Sequence, residues 1–148
     1  MNNSIRIGIA VLALAGFGAL IYASDQKNNQ QVTVPIEGDA PKGRAMVEVT
    51  VPILEGKEEL GLAAYNAKCA ACHGENAVGQ VGVAPPLVHK IYEPSHHGDG
   101  AFLNAARNGV RSHHWQFGNM PPVEGITDAE VGTIVAYVRA LQRANGIN

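Results

Sequence analysis

The sequence is poor in cysteine, in aromatic residues and in charge. Its 148 residues include 2 cysteines, and only 5% are aromatic and 16% charged. Two thiols are too few for a four-thiolate zinc site or an iron–sulfur cluster within one chain. The formal net charge of −2 provides no basic surface for nucleic acid, so no nucleic-acid partner is expected. Few aromatic side chains predict a modest core, which a bound cofactor would complete.

Both cysteines lie in one short motif, Cys69-Ala70-Ala71-Cys72-His73. This spacing is used for covalent attachment of a c-type haem, in which each thiol forms a thioether to a haem vinyl group. The adjacent His73 can then bind the iron as the proximal ligand. A redox-active dithiol usually lies in a βαβ pattern that this sequence lacks, and a plain disulfide is the other alternative. The motif therefore favours one covalently attached haem c.

The chain begins with an apolar segment. Residues 7–23 run for 17 residues without charge, which is short for a transmembrane helix and long for the apolar part of a signal peptide. Residues 1–23 are predicted to be a transmembrane anchor or a signal peptide, and a buried core helix is the weaker alternative. An anchor is favoured because the apolar run reaches the lower limit for spanning, the cleavage site near Ala23 is only fair, and a long polar segment separates the run from the domain. The expected location is the inner membrane facing the periplasm, or the soluble periplasm after cleavage.

A linker and a helical domain follow the apolar segment. Residues 24–55 are polar and contain prolines, which predicts a largely irregular linker. Such a linker would give a membrane-tethered domain reach. Residues 56–148 form the predicted domain.

Three helices are predicted within the domain. Helix formers favour a helix over 57–68. Asp99 is a plausible N-cap for a helix over Gly100–Asn108, which Gly109 would close. Thr127 and Glu130 form a capping-box pattern before a long helix with apolar residues at helical spacing. The first helix carries an apolar face that consists of Leu60, Ala63, Ala64 and Ala67.

This order of elements resembles a class I c-type cytochrome over about Gly56–Ile147. Three motifs carry the resemblance: Cys69 to His73, Ala84-Pro85-Pro86-Leu87, and Gly118-Asn119-Met120-Pro121-Pro122. It implies an all-α cytochrome c fold, a small helical domain wrapped around one covalent haem. In this family the first and last helices cross near a small residue and aromatic residues, for which Gly61, Tyr65 and Tyr137 are suitably placed.

The resemblance also implies a role for each site residue. Cys69 and Cys72 would hold the thioethers and His73 would be the proximal ligand. The carbonyl of Pro85 would accept a hydrogen bond from His73, although Ala84 replaces the glycine common before this proline. Met120 would be the distal ligand.

Other residues compete with Met120 or surround the haem. A methionine in a loop also commonly fills a gap in a core. His113 and His114 are rival ligands, and His96 and His97 are more distant ones. Trp115 is a possible haem contact, because its indole N–H can donate to a propionate. Tyr92 and Phe117 are predicted to be haem-packing or core aromatics. Arg107 and Arg111 could pair with the propionates, although solvent exposure is the default expectation for each.

The implied function is electron transfer rather than enzymatic catalysis. The protein would act as a carrier, or as the cytochrome subunit of a respiratory or other oxidoreductase chain. Its partners would be redox proteins, in particular membrane complexes, and it would contact the membrane through the N-terminal helix. The alternative is a haem enzyme or gas-binding sensor, which requires an open or displaceable distal position.

Overall fold

The computed structural model describes residues 41–148, and the predicted anchor and residues 24–40 of the predicted linker lie outside this range. The described residues contain four α-helices and two short 3-10 helices, with isolated bridges but no β-strand. No helix among residues 41–148 combines the length and apolarity needed to cross a membrane. The α-helices are α1 (Lys57–Lys68), α2 (Ala70–His73), α3 (Asp99–Asn108) and α4 (Asp128–Ala144), and the 3-10 helices are Glu75–Ala77 and Lys90–Tyr92.

Helices α1 and α4 pack closely at Gly61. A Cβ atom at Gly61 would lie 2.0 Å from the carbonyl oxygen of Thr133 and 2.8 Å from Cβ of Tyr137, so only glycine permits this approach. Tyr65 and Tyr137 are fully buried beside the contact, with ring centroids 5.4 Å apart. This is the helix pairing that the resemblance implied.

The apolar face of α1 lies mostly outside the core. Leu60 is 65% exposed, and Ala63 and Ala67 are also exposed. The buried residues of α1 are instead Gly61 and Tyr65. Close backbone approach and one aromatic ring therefore orient this helix, rather than its aliphatic stripe.

Helix α4 begins at the predicted capping box. Thr127 Oγ1 accepts a hydrogen bond from the Glu130 backbone N–H (3.2 Å), and the Glu130 carboxylate accepts one from the Thr127 N–H (2.8 Å). The apolar spacing also holds, because Ile134, Val138 and Leu141 are buried in the core. The predicted last helix is therefore confirmed.

Helix α3 starts one residue earlier than its predicted span, and Asp99 is not its N-cap. Gly98 occupies the cap position, and Asp99 is the first helical residue. The Asp99 carboxylate accepts a hydrogen bond from Nε of Arg139 at 2.9 Å. A partner 40 residues away in sequence thus replaces the expected local cap. The helix ends at Gly109, as predicted.

Residues 41–55, assigned above to the linker, are irregular but packed on the helical domain. The Gly43 N–H donates to the Val81 carbonyl (2.8 Å). The Asn145 side chain makes two hydrogen bonds to the Thr50 backbone: it accepts from the N–H at 2.9 Å and donates to the carbonyl at 2.8 Å. This stretch therefore belongs to the same compact unit as the helices.

Candidate haem-binding site

The attachment motif follows α1 directly. The Cys69 N–H donates to the Tyr65 carbonyl (2.8 Å) and the His73 N–H donates to the Cys69 carbonyl (2.9 Å). The backbone between the two thiols is therefore helical. Nε2 of Gln80 donates to the carbonyl of Ala71 (3.0 Å) and braces this turn from the following loop.

Both cysteines are free thiols, Cys69 half-buried and Cys72 exposed. Burial, with a smaller contribution from Cys72, raises the pKa of the Cys69 thiol to about 11. A reactive dithiol needs the opposite, a thiolate with a depressed pKa. The environment of Cys69 thus argues against the redox-dithiol alternative.

His73 presents one ring nitrogen to the cavity beside the motif. Its Nδ1–H donates to the carbonyl oxygen of Pro85 at 2.8 Å, which leaves Nε2 as the nitrogen with a free lone pair. Desolvation lowers the pKa of His73 and thereby favours the neutral ring. A neutral imidazole oriented by a hydrogen bond from its other nitrogen is the usual state of a metal ligand.

The proline loop reaches His73 because the chain folds back tightly at Gly79. This glycine has φ +70°, and a Cβ atom there would lie 2.4 Å from the Pro86 nitrogen. Its N–H donates to the His73 carbonyl (2.7 Å). Glycine at this position therefore brings Pro85 within reach of the His73 ring.

Met120 is positioned by its backbone. Val110 and Met120 exchange two N–H to carbonyl hydrogen bonds, both 2.9 Å, immediately after α3. A Cβ atom at Gly109 would lie 2.4 Å from the Met120 carbonyl oxygen, so the helix end and the Met loop touch. The Met120 loop is thereby held against the end of α3.

The six predicted site residues all line one cavity of about 340 Å³. Apolar side chains such as Phe102, Val110 and Ile134 form much of the remaining wall. A cavity of this size and character suits a largely apolar cofactor. The predicted residues that meet there are Cys69, Cys72, His73, Pro85, Trp115 and Met120.

Trp115 contributes a buried donor that lies close to the Tyr92 hydroxyl. Its Nε1 finds no hydrogen-bond partner within residues 41–148. Its ring packs against Phe117 (5.8 Å between centroids) and against the edge of His89 (5.1 Å). A buried N–H at a cavity wall that makes no well-formed hydrogen bond to protein matches a ligand that brings its own acceptor, such as a propionate carboxylate. The thiols, the His73 nitrogen and this donor together fit a covalently held haem.

Neither of the two arginines named as possible propionate partners lines the cavity. Arg107 forms an ion pair with Asp128, which engages its guanidinium away from the cavity lining. Arg111 is exposed and also does not line the cavity.

Three of the other histidines border the same cavity. His97, His113 and His114 line it, whereas His96 lies outside its wall. Partial desolvation and the neighbouring imidazoles lower the pKa of His114, which favours its neutral form. The Nδ1–H of His113 donates to the Arg111 carbonyl at 2.9 Å.

Sequence reasoning missed a buried polar network that supports one cavity wall. The Arg139 guanidinium donates to the carbonyls of Tyr92 (2.7 Å) and His97 (2.5 Å), and to the Gln142 side chain (2.6 Å). Gln142 is fully buried and donates to the Leu87 carbonyl (2.8 Å). No sequence signal marked these two residues, because polar positions in an amphipathic helix usually face solvent.

Comparison with known families agrees with this geometry. The family model described as Cytochrome c matches residues 58–142, which is more than half of the chain. No curated protein and no solved structure matches the chain significantly. The matched segment contains every site residue named above. The chain therefore belongs to the cytochrome c family, whose members transfer electrons through covalently bound haem c.

Proposed function

We propose that this protein transfers single electrons through one haem c with His73 and Met120 as axial ligands. The observation that carries the proposal is the convergence of both thiols, the free His73 nitrogen and Met120 on one apolar cavity. Haem bound there would supply a ferrous–ferric couple, and a thioether ligand raises its potential.

The protein's own residues bind, orient and shield the group. Cys69 and Cys72 anchor it, and the Pro85 carbonyl orients the His73 ring through the 2.8 Å hydrogen bond. Such outer hydrogen bonds hold the ligand and tune its basicity. The apolar wall excludes water, and Trp115 offers its unpaired N–H to a propionate. With His73 and Met120 both bound, the iron would have no position left for a substrate.

The exposure of the two thiols supports exchange of electrons with partner proteins. Cys72 is exposed, whereas Cys69 is half-buried. The attachment edge of the haem would therefore reach the surface, where a redox partner can approach. We infer that the partners are redox proteins, among them membrane complexes, and that the chain serves as a carrier or as a cytochrome subunit.

The apolar residues 7–23 support a membrane location for this activity. Retained, they would anchor the domain to the inner membrane on the periplasmic side. Cleaved, they would leave a soluble periplasmic carrier. The partners differ between the two cases, but the haem chemistry is the same.

Extraction of the pigment tests the proposed attachment. The purified protein, denatured in acidic organic solvent, should keep its haem on the polypeptide, because thioethers survive these conditions. Cys69→Ala and Cys72→Ala should each retain one thioether, and the double variant should release its haem completely. Release of free haem from the unmodified protein would contradict the proposal.

A further inference from the structure

Four histidines from two separate loops meet beside the haem-binding cavity. His96 and His97 precede α3, and His113 and His114 follow it. The ring centroids of His96 and His114 are 5.2 Å apart, those of His97 and His114 are 5.3 Å apart, and those of His113 and His114 are 4.3 Å apart. The electron-transfer site proposed above uses none of these side chains.

Three of the rings have nitrogens close enough to share one ion. One nitrogen each from His96, His97 and His114 lies within 4.8 Å of the other two. Nε2 of His96 and Nε2 of His114 are 3.3 Å apart. Zinc–nitrogen bonds of about 2.0–2.1 Å at tetrahedral angles place two ligand nitrogens roughly 3.3–3.4 Å apart. The His96–His114 pair therefore already has the spacing of one edge of a tetrahedral site.

His97 has the orientation that a metal ligand requires. Its Nδ1–H donates to the Ile91 carbonyl at 2.6 Å, which leaves the lone pair on Nε2. Ligating histidines typically make this kind of hydrogen bond with their second nitrogen. His97 is half-buried, so its ring has little freedom to turn away.

The loop that carries His96 and His97 is held before any ion binds. The backbone N–H groups of both residues donate to the Glu93 carbonyl, at 3.0 and 2.8 Å. The buried Arg139 guanidinium donates to the His97 carbonyl at 2.5 Å. This anchoring lowers the entropic cost of bringing the nitrogens together.

We propose that His96, His97 and His114 bind one divalent transition-metal ion of the Zn²⁺ or Cu²⁺ type. Imidazole nitrogens favour these ions over Mg²⁺ and Ca²⁺, which prefer oxygen. His96 and His114 are exposed, so a water molecule completes the coordination from solvent. The site lies at the margin of the haem cavity, because His97 and His114 also line that cavity.

Calorimetric titration of the haem-loaded protein with Zn²⁺ in a non-coordinating buffer tests the site. We expect one Zn²⁺ per chain. His96→Ala and His114→Ala should each weaken its affinity more than tenfold, because loss of an outer-shell partner alone costs roughly 10–100-fold. With Cu²⁺ in place of Zn²⁺, electron paramagnetic resonance should show hyperfine coupling to three nitrogens, and His96→Ala should reduce this to two.

His89→Asn is the matched control. His89 lies outside the cluster, and Asn can replace its Nδ1 as the acceptor for the Ile91 N–H. This variant should bind Zn²⁺ like the parent protein, and His96→Ala, whose ring lies outside the wall of the haem cavity, should keep the parent haem spectrum. Equal Zn²⁺ affinity in the parent, His96→Ala and His114→Ala proteins would overturn the proposal. Loss of the low-spin haem spectrum in His114→Ala would also overturn it, since His114 would then be a ligand of the haem iron.

Discussion

The position of Met120, the proposed distal ligand, is set by backbone hydrogen bonds to a neighbouring segment. Met120 has an ordinary half-buried environment, and its position comes from the paired hydrogen bonds with Val110. His113 and His114 border the same cavity and are the rival ligands. Substitution of Met120, His113 and His114 one at a time therefore decides whether a thioether or an imidazole binds the iron.

Replacing Met120 should remove the sulfur ligand and leave the haem attached. Met120→Ala should lose the weak near-infrared sulfur-to-iron band of the ferric protein, and its ferrous form should bind carbon monoxide readily. Its reduction potential should fall, because a thioether raises the potential. Absorption spectra and a redox titration measure these changes. His113→Ala and His114→Ala are the controls, and loss of the band in either of them would contradict the Met120 assignment.

Arg139 is a buried polar residue of α4 whose removal should cost substantial stability. Its side chain is 9% exposed and satisfies the Tyr92 and His97 carbonyls. Arg139→Ala removes the donor of the His97 carbonyl and of Oε1 of Gln142, whereas the Tyr92 carbonyl still accepts from Nε2 of Gln142 at 3.1 Å. We therefore expect the free energy of unfolding to drop by about 2 kcal/mol or more. Urea unfolding of the haem-loaded protein measures this.

Arg143 provides the matched control on the same helix. It is 56% exposed and pairs with Glu58 at 3.0 Å. Arg143→Ala should change the free energy of unfolding by no more than about 1 kcal/mol, because exposed ion pairs contribute little. Similar losses in both variants would mean that the Arg139 network does not stabilise this wall of the cavity.

Among the helical elements, the α1–α4 pair carries the attachment motif and depends on Gly61. Gly61→Ala places a methyl group against backbone atoms of α4, and a side-chain rotation cannot relieve that clash. We expect the free energy of unfolding to fall by about 1–3 kcal/mol or more. Gly132→Ala is the control, because its Cβ would meet only Nζ of Lys57 at 3.9 Å. That variant should be neutral or stabilised by up to about 1 kcal/mol. Equal thermal stability of the two variants would contradict the close crossing.

The start of α4 should make stability depend on acid pH. Hydrogen bonds from the Thr127 backbone and hydroxyl lower the pKa of Glu130 below its usual 4.5. The contribution of the charged carboxylate is therefore complete above about pH 4.5 and is lost as the pH falls through the lowered pKa. Glu130→Gln keeps an acceptor oxygen, so its deficit in urea stability relative to the parent protein should shrink at acid pH.

Thr127→Ala tests the cap together with part of this charge effect, because the Thr127 hydroxyl accepts from the Glu130 N–H and also donates to the Glu130 carboxylate. It removes a hydroxyl acceptor that does not titrate, and it should cost about 1 kcal/mol at neutral pH. Much of that loss should persist at acid pH, unlike the Glu130→Gln deficit. A Glu130→Gln deficit that is independent of pH would contradict the lowered pKa.

For the whole molecule, the proposed membrane anchor decides where the haem domain works. We expect the mature protein to retain residues 1–23 and to fractionate with membranes. Intact-mass measurement of the protein purified from membranes should match the complete chain plus one haem. A soluble polypeptide that begins near Ser24 would contradict the anchor, although the haem-binding domain would be unaffected. Residues 41–55 pack on the helical domain, so shortening the chain within them should perturb the fold rather than only the tether.

Motifs of neighbouring residues were enough to predict the haem attachment and the ends of two helices from sequence alone. The Cys69–His73 motif, the capping box at Thr127 and the stop at Gly109 each depend on residues a few positions apart. These features act through nearby backbone groups, so a short window of sequence predicts both the helices and the haem attachment. Pro85 and Met120 came from the family resemblance, which identified them without showing what holds them.

Tertiary structure decided everything that depends on contacts between distant segments. Asp99 is the first residue of α3 rather than its N-cap, and its carboxylate accepts from Arg139, 40 residues later. The exposed aliphatic stripe of α1 faces away from the core because the close approach at Gly61 sets the rotation of that helix. The histidines meet only because the two loops at the ends of α3 fold together. Periodicity reports which face of an element is apolar, but the partner that covers a face, or binds a polar group, is chosen by packing across the whole chain.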